Sequence, residues 1–110
     1  MTKGAHLGEF EEIVLLAAAR SDGYGSAIHG EILATTTRDV SIPSVYVTLT
    51  RLEKKGLVES SVAISGGDRG GRPMKVFTVT EAGVRQLQAS RMLKARLWEG
   101  LEFDPLAAEE

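Results

Sequence analysis

The sequence predicts a mainly helical protein with one small β-hairpin, and three observations support this fold class. Apolar residues recur at helical spacing in four segments, which is the pattern of amphipathic helices. A glycine-rich segment, SGGDRGGRPM at residues 65–74, separates two short runs rich in β-branched residues, as in a hairpin. The chain has 110 residues, which is enough for one domain and too few for two.

The first two helices are predicted on either side of a glycine-containing turn at residues 21–25. Residues 7–20 carry apolar side chains at helical spacing and form the first helix. Between residues 13 and 19 the apolar character surrounds this helix, so we expect it to be buried on more than one side. The second helix is predicted from Ser26 to about Thr36.

A third helix is predicted between Ser41, which suits the N-cap position, and Gly56, which suits the C′ position. Val45, Leu49 and Leu52 recur at helical spacing and define its buried stripe. The opposite face is short and polar at its start and basic further along. It consists of Pro43, Ser44, Val47, Thr50, Arg51 and Lys54.

Two strands and a last helix complete the predicted order. The strands are predicted at residues 57–64 and 75–79, and the segment between them is too long for a tight turn. Thr80 caps a helix that runs to about Leu101, and residues 102–110 are expected to be a disordered tail. Three helices followed by a two-stranded wing describe a winged helix-turn-helix. The additional C-terminal helix has no room in that small core.

Charge is unevenly distributed along the chain. The net charge is −2, yet residues 41–80 hold six basic and three acidic side chains, a balance of +3, so the other residues carry −5. A basic segment within an acidic chain is expected where one face meets phosphate. Chance variation in solvated surface charge produces the same pattern, so charge alone leaves both interpretations open.

The residue types of the third helix favour contact with the DNA major groove. Ser44 can hydrogen-bond a base or a phosphate, Val47 suits a thymine methyl group, and Arg51 can reach guanine or phosphate. The Tyr46 ring can pack while its hydroxyl reaches a phosphate. An ordinary amphipathic surface helix would show the same spacing. The predicted DNA contacts are Tyr24, Ser41, Pro43, Ser44, Tyr46, Val47, Thr48, Arg51, Lys54, Lys55, Arg69, Arg72 and Lys75.

The glycine-rich loop between the strands carries Arg69 and Arg72. Glycines let a backbone lie close to the sugar-phosphate chain, and arginines favour the narrow, electronegative minor groove. A solvated hairpin loop is the competing interpretation. The combination of recognition-like helix, glycine stop, strand, Arg/Gly loop and strand is more specific than any one part.

Catalysis, metal binding and membrane insertion find no support in the sequence. There is no cysteine, and His6 and His29 have no ligand cluster with them. The chain has neither a G-x-S-x-G elbow nor a Walker A or Rossmann glycine pattern. Its longest apolar stretch is seven residues, and its start lacks the apolar run of a signal peptide. We therefore expect a cytoplasmic protein that is not an enzyme and needs no cofactor or metal.

Four motifs resemble those of the PadR family of bacterial transcriptional regulators, especially its short members with a single C-terminal dimerisation helix. They are LGEFEEIVLLAA at the first helix, Tyr24-Gly25 before the second, SIPSVYVTLTRLEKKGLV at the third, and RGGRPMKVFTVTEAG from the wing into the last helix. The likeness covers about residues 7–101. Val47 stands where the family often has proline, and Val76 and Thr78 replace a usual aromatic and a usual basic residue.

The resemblance implies a homodimer whose C-terminal helices cross to the partner, and repression of nearby genes. Some members of the family respond to small aromatic or drug-like molecules at the dimer interface. The helical spacing of Leu93, Leu97 and Leu101 suits such an interface, because this apolar stripe lies beyond the core of the domain. The predicted dimer residues are Leu7, Phe10, Val14, Met92, Leu93, Leu97, Trp98 and Leu101.

Two questions stay open from the sequence alone. Trp98 either packs in the dimer interface, which we favour, or offers a flat surface on which a small aromatic effector stacks.

The predicted organisation is a winged helix-turn-helix DNA-binding domain at residues 1–79 and a dimerisation helix at residues 80–101, with double-stranded DNA as the partner. The competing class is a winged-helix protein-interaction module that does not bind DNA, which the acidic net charge would suit.

Overall fold

In residues 7–65 and 71–103, which the computed structural model describes, four helices and one antiparallel hairpin follow each other in the predicted order. The helices are α1 (Glu9–Arg20), α2 (Gly25–Thr35), α3 (Ile42–Lys54) and α4 (Glu81–Trp98), and the strands are β1 (Val58–Ser65) and β2 (Arg72–Val79). The predicted fold class is therefore confirmed.

Helices α1, α2 and α3 surround one apolar core that the base of the hairpin closes. Removing these side chains from water is the main favourable term, at about 1.5–3 kcal/mol for each large one. The ends of α3 follow the prediction, since the Ser41 hydroxyl accepts from the Ser44 N–H at 3.2 Å and Gly56 has a φ of +77°. The core consists of Val14, Leu15, Ala17, Ala18, Ile28, Ile32, Val45, Leu49, Leu52, Leu57, Val58 and Phe77.

The hairpin is longer than predicted, because β2 begins at Arg72 rather than at residue 75. The strands pair from Val58 opposite Val79 to Ser65 opposite Arg72. Part of the segment that we predicted as a loop therefore belongs to the strand. Pro73 is tolerated there because each strand of a two-stranded sheet has one edge that needs no amide donor.

Helix α4 is packed at its start and exposed at its end. The Thr80 hydroxyl accepts from the Gly83 N–H at 3.0 Å and donates to the Gly56 carbonyl at 2.8 Å. Gly83 lies so close to the carbonyl of Leu57 that a Cβ at this position would overlap it. From residue 91 to residue 103 every residue is exposed. The helix ends at Trp98, before the predicted Leu101.

Two polar contacts join α4 to α1 beyond this packed start. Glu12 accepts from the Ser90 hydroxyl at 3.0 Å and from the Lys94 ammonium at 2.7 Å. Leu87 packs against the core, whereas Val84, one turn earlier, is 44% exposed. Within the described residues, no helix is both long and apolar enough to cross a bilayer.

Candidate nucleic-acid interface

Helix α3 lies between the hairpin and α1, and contacts on its two flanks fix its orientation. On one flank the Tyr46 ring meets the Phe77 ring edge-on, with 6.3 Å between centroids, and Glu53 accepts from the Ser60 hydroxyl at 2.7 Å. On the other flank, at the end of the helix, the Lys55 ammonium bonds to α1. The face of α3 between these flanks points to solvent.

This open face carries the residues that the helical spacing predicted. Val47 is 57% exposed, which is high for a valine and gives the face an apolar centre. Arg51 and Lys54 are exposed towards the end of the helix, and Thr50 lies between them and Val47. The face is therefore apolar at its centre and basic towards its end, as expected of a helix that meets base edges and then phosphates.

The start of α3 presents polar groups on the same side. The Ser41 and Ser44 hydroxyls are 2.8 Å apart and both residues are exposed. Pro43 has no N–H and the Ser44 N–H is bonded to Ser41, so the two hydroxyls and the helix dipole are what favour an anion such as a phosphate at this end. A shallow groove runs beside this end of the helix. It is lined by Phe10, Asp39, Val40, Ser41, Pro43, Ser44, Val47 and Thr48.

His29 holds the segment that leads into α3. A ring nitrogen of His29, on α2, lies 2.8 Å from the Val40 carbonyl, and the residue is half-buried. The bond ties the end of the α2–α3 connection to α2, one residue before the N-cap of α3. The sequence shows no sign of this contact, because no local pattern shows which distant carbonyl a histidine will meet.

The packing of Tyr46 explains why a glycine follows Tyr24. The Tyr46 hydroxyl lies directly on Gly25, so that a Cβ at this position would overlap it. The ring packs as predicted and is 38% exposed, and its contact with phosphate stays a prediction. Tyr24 itself is the N-cap of α2, is half-buried, and pairs through its backbone with Val76 of β2.

Three predicted contact residues are corrected by their surroundings. Thr48 is only 3% exposed, because it lies three residues after Val45 on the buried side of α3. Val14, predicted at a dimer interface, is fully buried in the core of its own chain. The Lys55 ammonium lies 2.9 Å from both carboxylate oxygens of Glu11, so its charge is already neutralised. Thr48 and Val14 therefore offer no surface to a partner, whereas Lys55 is exposed but has its charge paired within the chain.

The Glu11–Lys55 pair links the start of α1 to the end of α3. Burial alone raises the pKa of the Glu11 carboxyl. The hydrogen bond from the Gly8 N–H and the Lys55 ammonium outweigh that effect, so the pKa lies below its usual value. Glu11 is therefore ionised at neutral pH and holds two helices of the core together.

The structure describes two of the three wing residues that we predicted to contact DNA. Arg72 and Lys75 are exposed in β2, on opposite faces of the hairpin because they stand three residues apart. The Lys75 ammonium lies 5.6 Å from the centroid of the Phe77 ring, a cation–π distance. Arg69 lies outside the described residues.

The second half of α4 exposes the apolar residues that we predicted for a dimer interface. Met92, Leu93, Leu97, Trp98 and Leu101 are between 49% and 69% exposed. Leu7 and Phe10, predicted for the same interface, are half-buried against their own core. The sequence interpretation missed Phe103, whose ring meets Trp98 edge-on at 5.9 Å, and Leu16 on α1, which is 45% exposed.

Three helices, an antiparallel wing and an open, basic face on the third helix define a winged helix-turn-helix protein of the DNA-binding class. The model of the PadR-like transcriptional regulator family matches residues 14–89, which is more than half of the chain. The chain belongs to this family and is a DNA-binding transcriptional regulator.

Solved structures with the same fold come from several bacteria. A PadR-like transcription factor from Bacteroides fragilis is 23% identical, with a TM-score of 0.70 over 82% of this chain and 84% of that one. A PadR family regulator from Clostridium difficile is 22% identical, with a TM-score of 0.64 over 83% and 88%. A PadR-like regulator from Bacillus cereus is 23% identical, with a TM-score of 0.65 over 86% and 93%. At these identities the likeness shows the fold. Comparison with curated proteins found no match.

Proposed function

We propose that the chain is a homodimeric repressor that reads a two-fold symmetric operator in double-stranded DNA. Each protomer would place α3 in the major groove and its wing beside the adjacent minor groove. The observation that supports this proposal is the open face of α3, which lies between the hairpin and α1 and carries Val47, Arg51 and Lys54. On α3 an exposed apolar centre, two exposed cations and a capped polar start lie on one helix that packs against the wing.

The positions along α3 support different roles in recognition. Arg51 has five donors in a planar fork and can contact guanine bidentately. Lys54, one turn beyond Thr50 and two turns beyond Val47, suits a phosphate contact as the helix leaves the groove. Val47 would meet a thymine methyl group. The Ser41–Ser44 end would bind a phosphate through its hydroxyls and the helix dipole.

The dimer proposal rests on the exposed half of α4. A helix segment with no buried side gains little from its own propensity and needs tertiary packing. Met92, Leu93, Leu97 and Trp98 are each more than half exposed in one chain. Covering such side chains contributes about 25 cal/mol per Å² of apolar surface. A second copy, with its own α4 stripe and the exposed Leu16 of α1, would supply that cover.

Repression is what the resemblance to the PadR family implies, and a dimer bound over a promoter would act by blocking RNA polymerase sterically. A small aromatic effector would act at the dimer interface. Trp98 and Phe103 form an exposed edge-to-face pair that can extend to a third aromatic ring. If Trp98 fluorescence does not change with any aromatic compound that releases the DNA, the effector part of the proposal is wrong and the dimer part stands.

Selection of bound sequences from a random duplex library tests the proposal. We expect an inverted repeat whose half-site centres lie about 10–10.5 base pairs apart, or a multiple of that spacing, since two recognition helices on one DNA face are one helical turn apart. Sedimentation of the complex should show two chains per duplex. Enrichment of a single unrepeated half-site bound by one chain would contradict the dimer, and no enrichment would contradict sequence-specific recognition.

A further inference from the structure

We propose that the outer part of the wing packs an apolar strip against the deoxyribose edges of the DNA minor groove, which gives affinity that is independent of salt. This inference rests on the proposed function, because it assigns a partner to a surface beside α3. Residues directly opposite each other in an antiparallel pair share one face of the hairpin. We call the face that contains the Ser60–Phe77 pair the inner face of the wing. Its outer half consists of Val62, Ile64, Pro73 and Lys75.

The inner face is turned towards α3. Its Phe77 ring meets Tyr46, and its Ser60 hydroxyl donates to Glu53 at 2.7 Å. Since Tyr46 and Glu53 lie seven residues apart on one side of α3, the helix crosses the inner face at the Ser60–Phe77 pair. The strip beyond this crossing therefore borders the open face of α3.

The side chains of this strip are exposed to solvent in the described part of the chain. Val62 is 66% exposed and Ile64 is 65% exposed, although both are large β-branched residues of a paired strand. Ile64 stands opposite Pro73, which is also exposed, so the three side chains form one continuous apolar surface. Such a surface, next to a DNA-binding face, indicates an apolar partner rather than solvent.

The charges beside the strip indicate what that partner is. Lys75 stands opposite Val62 on the same inner face, and its ammonium lies near the Phe77 ring. Glu59 of β1 lies on the other face of the hairpin, opposite Thr78, so its position in the sheet is not on the face of the strip. An apolar strip with a cation beside it matches the wall of the minor groove, where sugar C–H edges alternate with phosphates. A second copy of the wing would bring two Lys75 cations together instead.

This partner has a measurable consequence in the salt dependence of binding. Contacts to sugars release no counterions, so their loss should lower affinity equally at every salt concentration. Loss of a phosphate contact should instead make the slope of log K against log salt shallower by about 1. A salt titration can therefore distinguish the two contributions. Loss of the strip lowers the affinity at an unchanged slope, whereas loss of Lys75 makes the slope shallower.

The test uses the full chain with Val62→Thr and Ile64→Thr together, since threonine keeps the β-branch and the strand propensity. Affinity is measured by fluorescence anisotropy on the selected operator and on a random duplex, at several salt concentrations. We expect about a tenfold loss on both duplexes with an unchanged slope, from two to three partly buried methyl groups removed. Met74→Thr removes apolar surface from the opposite face of the same strands and should leave both affinities unchanged.

The possible outcomes separate this inference from the proposed function. If the wild-type chain binds with a steep salt dependence and the double variant binds equally well, the inference is wrong and the proposed function stands. If the wild-type chain binds neither duplex, both are wrong. A double variant that turns a dimer into monomers in sedimentation assigns the strip to a second copy and overturns the inference. If the double variant melts at a lower temperature, Ile64→Thr alone, which is farther from the core, should still lose about threefold on both duplexes, and no loss there counts against the strip.

Discussion

Arg51 and Lys54 both lie on the open face of α3, but they should contribute differently to DNA binding. Arg51→Ala should weaken operator binding by about 1–3 kcal/mol and relax the sequence preference at one position, because it removes a base contact. Lys54→Ala should weaken operator and random duplex alike, since phosphates are the same in both. Anisotropy titrations on the two duplexes measure this difference. Unchanged operator affinity in both variants would refute the assignment of α3.

Val47 gives a second test at the residue scale. If its exposed side chain meets a thymine methyl group, replacing that thymine by uracil in the selected operator should weaken wild-type binding by about threefold to tenfold. The Val47→Ala variant should not distinguish the two duplexes. Each thymine of the half-site is replaced in turn and the affinity is measured. A uracil effect of the same size in Val47→Ala would mean that another residue reads the methyl group.

Glu11 should make stability depend on pH in the acid range. Its folded-state pKa lies below the unfolded value of about 4.3, so its contribution is complete above that value and is lost as the pH falls through the folded pKa. Glu11→Gln keeps an acceptor for the Gly8 N–H but loses the charge. Because Glu11 is 11% and Lys55 30% exposed, we expect a loss of about 1–2 kcal/mol at neutral pH.

Urea unfolding of wild type and Glu11→Gln between pH 3 and pH 8 measures this effect. The two free energies of unfolding should converge as the pH falls below the folded pKa. The pKa of Glu31 is also lowered, chiefly by its hydrogen bond from Arg20, whose side chain is 64% exposed. Glu31→Gln therefore serves as a control in which the partner of the carboxylate is largely in solvent. A constant difference between wild type and Glu11→Gln at every pH would contradict the account.

Single residues show where sequence reasoning about the site stops. Helical spacing correctly places Val47, Arg51 and Lys54 on one exposed face of α3. It does not show that Lys55 will meet Glu11, which is 44 residues away in the chain. Likewise, an all-apolar α1 predicts burial on several sides but not which side faces its own core, and so Val14 was assigned to the wrong surface.

At the scale of elements, α4 should carry the dimer through its exposed stripe. Leu97→Glu puts a charge into that stripe, and burying an unpaired charge is costly enough to weaken self-association by at least about a hundredfold. Ala95→Glu places the same charge on the opposite side of the exposed part of α4 and serves as the control. Sedimentation at several concentrations should show monomers for Leu97→Glu and dimers for the control. If Leu97→Glu remains a dimer, the stripe is not the interface.

The order of the elements could be predicted because its signals are local. Ser41 and Thr80 cap the two helices that follow them, Gly56 ends α3, and apolar spacing marks the core. The start of β2 could not be predicted, since residues 72–74 become a strand only by pairing with residues 63–65. No local sequence pattern predicts this pairing in a segment rich in glycine and proline.

At the scale of the whole molecule, we propose that this acidic chain meets DNA through one basic side. Arg51 and Lys54 lie on α3, Arg72 and Lys75 lie on β2 of the wing, and the structure places these two elements side by side. Lys55 does not contribute to that side, because Glu11 neutralises it. The α4 stripe lies beyond the core of the winged domain. In the proposed dimer two basic sides would then act on one duplex.

The salt dependence of duplex binding tests this central claim most directly. With about six to ten phosphate contacts per dimer, the slope of log K against log salt should be about −5 to −9 on operator DNA, and a large part of it should persist on random duplex. Anisotropy titrations of the full chain from about 50 to 200 mM salt give the slope. A steep slope in this range is the predicted result. A slope near zero, or no binding at the lowest salt, would contradict the account and favour a winged-helix module that binds protein instead.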